Sequence, residues 1–315
     1  MQKKYLVVLA GSPRGGEKTW NSLFKYVVNH LHADLAVSTT NDYLSENILF
    51  KKAKYKWIMP NPVNFDNYFK KYFSGNWRDY LLLGKELGLY HSGIISFAFK
   101  DYIYRNYKNI LLDYEYIIYT RFDQFYTDYH PDFNTDKIFI PSGEDYFGIC
   151  DRHAVFKSSR AAQFFSIANY IDSEKSLQKL PKFLNCESVF KAHLQDVELF
   201  DLVERFDRTS FTSSNENDET KWRIPELKIF FTKGLMIKYP DEFLEAVKNK
   251  LSKKYFSSLF LREPVLNLYY FYILTRKILG RLLRQQNKSI CDIHGEYFMS
   301  ERYAKLKVCP ECSDI

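Results

Sequence analysis

The sequence predicts an α/β fold, mainly because of the order of its apolar segments. The apolar run 5–10 has the length of a buried strand, and a second such run follows at 34–39. Between them lie a glycine-rich loop and the segment 18–31, whose apolar residues recur at helical spacing. A strand, a helix and a second strand in this order form a βαβ unit, which makes a right-handed crossover in a parallel sheet.

The remaining segments extend this sheet and surround it with helices. The aromatic and β-branched run 114–120 predicts a third strand, and 137–141 predicts a fourth. Helices are predicted over 81–107 with an interruption at Gly93, around 161–171, over 188–194 and beyond residue 240. Irregular structure is predicted for 40–78, and a mobile polar loop for 210–221.

The composition excludes several classes of protein. Of the 315 residues, 46% are hydrophobic and 18% are aromatic, which is too much apolar surface for a disordered chain. Five cysteines are too few for a disulfide scaffold of this length. No stretch reaches the ~20 uncharged apolar residues of a membrane-spanning helix, and the run 5–10 is too short for a signal peptide. We therefore expect a cytoplasmic protein.

The positive charge is concentrated in one segment. The formal net charge is +7, yet residues 246–289 contain ten basic residues and only one acidic residue. The rest of the chain is close to neutral, unlike a typical nucleic-acid-binding domain. Residues 264–285 interleave basic and apolar side chains as an amphipathic helix does, which would allow peripheral contact with the inner face of an anionic membrane. A core helix with a solvated charged face fits the same pattern.

The most informative stretch is the strand 114–120 and the charged residues that follow it. Arg121 and Asp123 come directly after the strand, and ligands of open α/β sheets bind beyond the carboxyl ends of strands. An aspartate there can hold a divalent metal that bridges two phosphates. An arginine can bind a diphosphate leaving group through bidentate hydrogen bonds. The structural alternative is a surface ion pair that closes the strand.

Three blocks of the chain together carry a family resemblance. They are 8–14 followed by 33–39, then 116–124, and then 141–154. In this order they resemble the S-G-x-x-R … D-A-D-V-F-x-x-T opening, the (K/R)-T-R-x-D strand and the P-x-G-x-D-x-G-G-x-N-D-R-F-A block of bacterial WavE-like glycosyltransferases of lipopolysaccharide and capsule synthesis. The resemblance implies a GT-A-like fold, which is a nucleotide-sugar-binding mixed sheet flanked by helices.

The resemblance also implies where a nucleotide-sugar donor would bind. Gly11 and Arg14 lie in the loop after the first strand, and Arg121 and Asp123 lie at the end of the strand 114–120. The metal motif of GT-A enzymes is Asp-x-Asp, and Arg121 stands at the position of its first aspartate. Either Asp123 binds Mn²⁺ or Mg²⁺, or Arg121 supplies part of the metal's charge.

Three carboxylates are candidates for the catalytic base. Glycosyl transfer passes through an oxocarbenium-like transition state, and inversion requires a carboxylate that deprotonates the acceptor hydroxyl. Asp151 is favoured because it lies in the third matched block, and Asp145 and Glu187 are the alternatives. A structural ion pair between Asp151 and Arg152 is the competing interpretation. The predicted acceptor is a surface polysaccharide or a lipid-linked glycan.

The glycine-rich loop 11–16 suggests a different class of enzyme. It resembles a phosphate-binding P-loop, but Glu17 separates its last glycine from Lys18, which breaks the required spacing. Followed by Thr19, the same loop is also similar to the sulfate-donor loop of sulfotransferases. A sulfotransferase is therefore the alternative, although it leaves the strand-end Arg–Asp pair unexplained.

The end of the sequence contains a set of metal ligands. Cys291 and His294 form one close pair, and Cys309 and Cys312 form a second. Tetrahedral zinc accepts such ligands, and four protein ligands with no open position are typical of structural sites. The module resembles C-x-x-H-G-x-F … C-P-x-C zinc ribbons, and metal binding would supply its folding free energy. Because such ribbons often bind nucleic acid, nucleic-acid binding is a further alternative, which the near-neutral body disfavours.

The sequence thus predicts three parts. A GT-A-like glycosyltransferase domain covers 1–245, a basic amphipathic helical segment covers 246–289, and a zinc-ribbon-like module covers 290–315. The expected partners are a nucleotide-sugar, a glycan acceptor and a membrane surface.

Overall fold

The computed structural model describes most of the first 254 residues and two short strands beyond them. The described ranges are 3–41, 47–60, 65–83, 89–143, 145–179, 185–215, 235–254, 288–291 and 295–298. Contacts between residues divide the chain into two units, 1–252 and 253–315. The predicted amphipathic helix at 264–285 lies outside the described residues.

Unit 1 contains both strands and helices. In the described residues the strands are β1 (Lys3–Ala10), β2 (Asp34–Thr40), β3 (Tyr55–Met59), β4 (Tyr114–Thr120), β5 (Gln124–Tyr126), β6 (Ile138–Pro141), β7 (His153–Lys157), β8 (Val203–Phe206), β9 (Ser210–Asn215) and β10 (Leu235–Ile237). The helices are α1 (Gly16–Leu23), α2 (Ile48–Lys52), α3 (Phe65–Tyr72), α4 (Asn76–Leu83), α5 (Leu89–Leu112), α6 (Ala161–Phe165), α7 (Ile167–Ile171), α8 (Glu174–Gln178), α9 (Cys186–Asp196) and α10 (Pro240–Lys254). A π-helical turn, Phe24–Val28, extends α1.

Seven strands form one mixed sheet in the order β3–β2–β1–β4–β7–β6–β8. Strands β1 to β4 run parallel, and β7 lies antiparallel between β4 and β6. The predicted βαβ unit is confirmed, since β1 and β2 pair in parallel with Val8 opposite Ala36, and α1 lies between them in the chain. The predicted α/β class and the mixed sheet flanked by helices are therefore correct.

The central strands are buried on both faces, which explains their continuous apolar runs. In β1, Leu6 and Val8 belong to one core cluster and Val7 and Leu9 to the other, because successive side chains of a strand point to opposite faces. Helices α5, α6, α7 and α9 pack into the first cluster, and α1 and α2 pack into the second. The sheet therefore lies between two layers of helices.

Part of the segment 40–78, which is predicted to be irregular, forms the third parallel strand, β3. This strand lies at the edge of the sheet, where only Trp57 and Met59 are buried. A half-buried edge strand of five residues gives too short an apolar run to be recognised. The predicted interruption at Gly93 is also wrong, since α5 continues through it and its non-helical backbone is at Tyr107.

The prediction of a mobile loop over 210–221 is wrong for its first six residues, which form the strand β9. This strand pairs with β5 and β10 in a second, antiparallel sheet. Three of its hydroxyl side chains, those of Ser210, Thr212 and Ser213, find partners inside the protein, whereas the buried Ser214 hydroxyl has none among the described residues. The Ser210 hydroxyl donates to Gln124 Oε1, and the Gln124 amide donates to Thr212 Oγ1, both at 3.0 Å. Residues 216–221 lie outside the described ranges.

Two buried histidines form a hydrogen-bond chain with one direction. His130 Nδ1 lies 2.8 Å from Pro131 O, and a carbonyl oxygen only accepts, so His130 Nδ1 is the donor. His130 Nε2 then accepts from His153 Nε2 at 2.9 Å. His153 Nδ1 accepts from the Tyr126 hydroxyl at 3.2 Å, and that hydroxyl accepts from Thr120 Oγ1 at 2.9 Å. Each histidine must be neutral for this chain to form.

Mild acid is therefore expected to destabilise the fold. Burial lowers the pKa of His130 to about 4 and holds the pKa of His153 well below its usual range. As the pH falls below about 6.5, the two histidines bind protons in the unfolded chain but not in the folded chain. The free energy of unfolding therefore falls by about 1.4 kcal/mol per pH unit for each histidine. Unfolding free energies from urea titrations at pH 7, 6 and 5 measure this loss.

Between pH 6.5 and pH 5 the change in stability can be assigned to histidines, because this window lies above the normal titration range of carboxylates. His153→Gln should reduce the pH slope by about one histidine's share. The control His32→Asn should leave it unchanged, because His32 is exposed and asparagine tolerates its positive φ of 49°. A flat stability between pH 7 and 5 would contradict neutral burial of the pair.

Candidate functional site

The ends of several elements meet at one edge of the seven-stranded sheet. β1 and β4 run toward this edge, with Leu9 opposite Thr120, and β7 runs away from it, with His153 opposite Thr120. The loop after β1, the residues after β4 and the residues before β7 therefore leave the sheet side by side. Gly11 opens the first of these loops, and its N–H donates to Ser38 O at 3.1 Å. This is the place where open α/β sheets bind ligands.

Arg121 and Asp123 form a bidentate ion pair directly after β4. Arg121 Nε and Nη2 donate to Asp123 Oδ1 and Oδ2 at 3.0 and 2.6 Å. Asp123 is 4% exposed, and its backbone oxygen accepts from Ser213 N at 2.8 Å. Burial raises the pKa of this carboxyl, but the charges of Arg121 and Lys238 outweigh burial and hold the pKa below its usual value. Asp123 is therefore ionised, and Arg121 engages both of its oxygens.

Lys238, directly after β10, brings a second cation to this pair. It is 9% exposed, its backbone N–H donates to Thr212 O at 3.0 Å, and its Nζ lies 5.2 Å from the centre of the Tyr239 ring. In the described part of the chain, Nζ makes no hydrogen bond and no ion pair. Burial and the charge of Arg121 lower the pKa of Lys238 to about 8, although Asp123 opposes the shift.

Two further arginines lie within electrostatic reach of Lys238. Arg14, in the loop after β1, and Arg152, just before β7, both add to the lowering of the Lys238 pKa that burial causes. The Arg152 guanidinium lies 5.0 Å from the Tyr239 ring that Lys238 also contacts. The structure thus brings together Arg14, Arg121 and Asp123, which the sequence predicted, and adds Arg152 and Lys238. We call these five residues the strand-end site.

A buried network holds Arg152 in place. Arg152 Nη1 donates to Glu242 Oε1 and, at 3.2 Å, to Thr212 Oγ1. Glu242 is fully buried in α10, and its Oε2 accepts from Thr212 N at 2.6 Å. Arg208, also buried, lies 3.7 Å from the same carboxylate. Burial lowers the pKa of Arg152, but the charge of Glu242 more than compensates, so the guanidinium stays charged.

Two of the three predicted catalytic carboxylates are engaged by arginines. Asp145 accepts from Arg205 at 2.9 and 3.0 Å and from the Cys150 N–H at 3.0 Å. Glu187 lies 3.7 Å from Arg152 Nη2. These carboxylates hold the loop before β7 and the start of α9 in position. Neither is available as a proton acceptor without breaking such an interaction.

Asp151 differs from the other two candidates. Within the described ranges its carboxylate makes no hydrogen bond and no ion pair, and the residue is half-buried. Its negative charge raises the pKa of Arg121 and acts on Lys100 and Tyr119 as well, so it lies within electrostatic reach of Arg121. The competing interpretation of an ion pair with Arg152 is wrong, because Arg152 is bound by α10. Asp151 has the free carboxylate that a general base needs.

Gly148 allows the loop before β7 to approach α9 closely. A Cβ at this position would lie 2.0 Å from Glu187 O, so only glycine fits. Ile149 N donates to Glu187 O at 3.1 Å, and Asn185, the N-cap residue of α9, donates to Tyr146 O at 2.8 Å. The packing explains one glycine of the third matched block and fixes Glu187 next to the other two candidate carboxylates.

The glycine-rich loop after β1 packs against the small sheet. Gly16 has a φ of 73°, and a Cβ there would lie 2.7 Å from Asn215 Nδ2. Thr19 is fully buried, and its hydroxyl bonds to Gly15 O at 3.0 Å and to Ser213 Oγ at 2.8 Å. The Thr19 hydroxyl is thus engaged within the fold, which disfavours a role in binding a sulfate donor.

Sequence reasoning missed Lys238 and Arg152 as members of the strand-end site, and it missed Glu242 and Arg208 as the residues next to Arg152. One signal was present for Lys238, because it directly follows the short apolar run of β10, as Arg121 follows β4. Glu242 and Arg208 stand in polar surroundings in the sequence, and nothing there shows that they are buried. Their roles depend on contacts between distant segments.

Unit 2 contains an antiparallel pair of strands in its described residues. They are β11 (Lys288–Cys291) and β12 (Gly295–Phe298), with Cys291 opposite Gly295. His294, Cys309 and Cys312 lie outside the described ranges, so the zinc site stays a prediction. Where the chain is described, no group of three His, Cys, Asp or Glu residues is placed to hold a metal ion. No helix there is long and apolar enough to cross a membrane.

These features define the class of protein. It is an α/β protein with a mixed seven-stranded sheet compatible with a Rossmann-like fold, and charged groups gather at its strand ends. Comparisons with protein-family models and with curated proteins found no match. The chemistry of the strand-end site is therefore the basis for assigning a function.

Proposed function

We propose that this protein is a glycosyltransferase that moves a hexosyl or pentosyl group from a nucleotide-sugar to a surface polysaccharide or a lipid-linked glycan. The observation that carries the proposal is the strand-end site itself. Several cations surround one engaged carboxylate, and a carboxylate without a partner in the described residues, Asp151, lies within electrostatic reach of Arg121.

The cations suit a reaction in which a nucleoside diphosphate leaves. As the glycosidic bond breaks, negative charge grows on the diphosphate, and preorganised positive groups stabilise that charge in the transition state. Asp123 holds the Arg121 guanidinium in one orientation at the end of β4. Arg14 approaches the same place from the loop after β1. Both strand ends that the family resemblance implies therefore contribute to one site.

Asp151 supplies the second half of the reaction. If the sugar configuration inverts, one carboxylate must take the proton of the acceptor hydroxyl as it attacks the anomeric carbon. The carboxylate of Asp151 is free to do so, whereas Asp145 is held by Arg205 and by a backbone N–H. The acceptor would then enter between the loop before β7 and the cations.

A lipid-linked acceptor would place the enzyme at the inner face of a membrane. The basic amphipathic segment 264–285 is proposed as the membrane contact. A structural zinc ion held by Cys291, His294, Cys309 and Cys312 is proposed to stabilise the end of the chain. Neither proposal is needed for the chemistry at the strand-end site.

A thermal-shift screen tests the proposed function. UDP, GDP and CDP would be compared with adenosine 3′,5′-bisphosphate, with and without Mn²⁺. One nucleoside diphosphate is expected to raise the unfolding midpoint by several degrees, since a ligand at a hundredfold excess over its Kd adds about 2.7 kcal/mol.

Variants locate the binding site in the same screen. Arg121→Gln should remove the nucleotide-dependent shift. Arg160→Gln should retain it, because Arg160 lies beyond the far end of β7 and bonds to the exposed Asp136. Stabilisation by adenosine bisphosphate alone would refute the glycosyltransferase and support the sulfotransferase.

A further inference from the structure

The residues around Asp123 do not suit a divalent metal. Mn²⁺ and Mg²⁺ bind through hard oxygen ligands, and GT-A enzymes usually offer carboxylate oxygens. Here Arg121 donates to both oxygens of Asp123, at 3.0 and 2.6 Å. Among the residues that the structure describes, no cluster of three acidic, His or Cys side chains includes Asp123. A metal at Asp123 would have to displace the Arg121 guanidinium from its carboxylate.

Lys238 carries a positive charge at the same place without a partner. Its side chain is 9% exposed, and within the described chain its Nζ has neither a hydrogen bond nor an ion pair. A buried ammonium that has no counterion among the described residues is costly, and a bound anion would offset that cost. The nearest carboxylate acting on it, Asp123, is already committed to Arg121.

The charges around Lys238 also leave positive charge that is not neutralised. Arg152 is neutralised by Glu242, and Arg121 is neutralised by Asp123. Lys238, directly after β10, and Arg14, in the loop after β1, are cations of this site that form no ion pair within the described residues. Lys238 and Arg14 would bring two positive charges to a diphosphate, as a divalent cation does, while Asp151 adds one negative charge near Arg121.

We propose that Lys238, together with Arg14, takes the place of the divalent cation and binds the diphosphate of the donor directly. This inference rests on the proposed function and names how its site recognises the donor. Nucleotide binding is then independent of metal. Asp123 fixes the position of the Arg121 guanidinium, and the N–H groups that do not bond to Asp123 donate to the phosphates.

The first test needs only the natural protein. Its affinity for UDP, GDP and CDP is measured by calorimetry in excess EDTA and again in Mn²⁺. The Kd of the preferred nucleotide is expected to agree within about threefold between the two conditions, which is less than 1 kcal/mol.

The second test removes the charge. Lys238→Met keeps the length of the side chain and is expected to weaken nucleotide binding in EDTA about ten- to hundredfold, the loss typical of one charge-assisted hydrogen bond. Lys238→Arg should retain more of the affinity. The control Lys248→Met changes an exposed lysine of α10 and should bind normally.

The outcomes separate the inference from the proposed function. Binding that appears only with Mn²⁺, or that Lys238→Met leaves unchanged, would overturn the inference and leave the glycosyltransferase standing. If no nucleoside diphosphate binds in either EDTA or Mn²⁺, both the inference and the proposed function are refuted. If Lys238→Met does not fold, the comparison of nucleotide affinity in EDTA and in Mn²⁺ still tests whether binding needs a metal.

Discussion

Asp151→Asn is expected to lower the rate of sugar transfer by about a hundred- to ten-thousandfold, the usual contribution of a general base. The affinity for the nucleoside diphosphate should change little, because the diphosphate contacts lie on the cations. Asparagine has nearly the shape of aspartate, and Asp151 makes no hydrogen bond or ion pair among the described residues that the change could break. The loss should therefore appear in kcat and not in the unfolding midpoint.

The two other candidate carboxylates provide the comparison. Asp145→Asn weakens the contacts with Arg205, so its main effect should be a lower unfolding midpoint, with little change in kcat. The rate is measured as release of the nucleoside diphosphate that the thermal-shift screen identifies, from nucleotide-sugars that carry it, with water or a glycan as acceptor. If Glu187→Gln abolishes transfer and Asp151→Asn does not, the base is Glu187 and the assignment is wrong.

Lys100→Met is expected to stabilise the protein by about 1–4 kcal/mol, as replacing a buried charge by an apolar residue often does. Lys100 is fully buried in α5, and its Nζ has no hydrogen-bond partner among the described residues. The ammonium lies 4.5 Å from the centre of the Phe190 ring and 5.2 Å from that of Tyr119. These aromatic contacts recover only part of the cost of burial. Methionine has a similar length and suits an aromatic cage.

The gain should depend on pH in a way that identifies its cause. Burial lowers the pKa of Lys100, and the negative charge of Asp151 opposes the shift only in part. Below about pH 10.5 the unfolded chain binds a proton that burial disfavours in the folded chain. The advantage of Lys100→Met should therefore shrink as the pH rises from 7 toward 10.

Urea unfolding at pH 7 and pH 9.5 measures both effects. Lys108→Met, on the exposed side of the same helix, should leave the stability and its pH dependence almost unchanged. A destabilised Lys100→Met protein, or a gain that is the same at both pH values, would mean that the buried ammonium has a favourable partner.

The predictable part of the fold is the part whose burial is visible in the sequence. β1, β2 and β4 are buried on both faces, so their apolar runs are continuous and their positions can be predicted to within about two residues. β3 is an edge strand with two buried residues, and β9 is a buried strand made of hydroxyl side chains. Neither has the pattern on which the prediction depends.

The strand-end site likewise has residues that can be predicted from the sequence and residues that cannot. Arg121 and Asp123 stand next to a recognisable strand, so their place at its carboxyl end follows from the sequence. Lys238 and Glu242 reach the site because β10 pairs with β9 and β9 pairs with β5. The pairing of β9 with β5 joins segments more than eighty residues apart, which cannot be derived from local patterns. The engagement of both Asp123 oxygens by Arg121 is likewise a matter of side-chain geometry.

The reversed direction of β7 has a consequence for how the proposed glycosyltransferase could acquire new acceptors. In a fully parallel sheet, the segment that precedes a strand lies at the edge opposite to the ligand. Because β7 runs the other way, the segment between β6 and β7 reaches the same edge as the ends of β1 and β4. In the proposed enzyme the donor would bind at the ends of β1 and β4, and the acceptor would bind beside the loop before β7. Insertions in the part of that loop before Asp151 would change which acceptor fits and leave the ends of β1 and β4 in place.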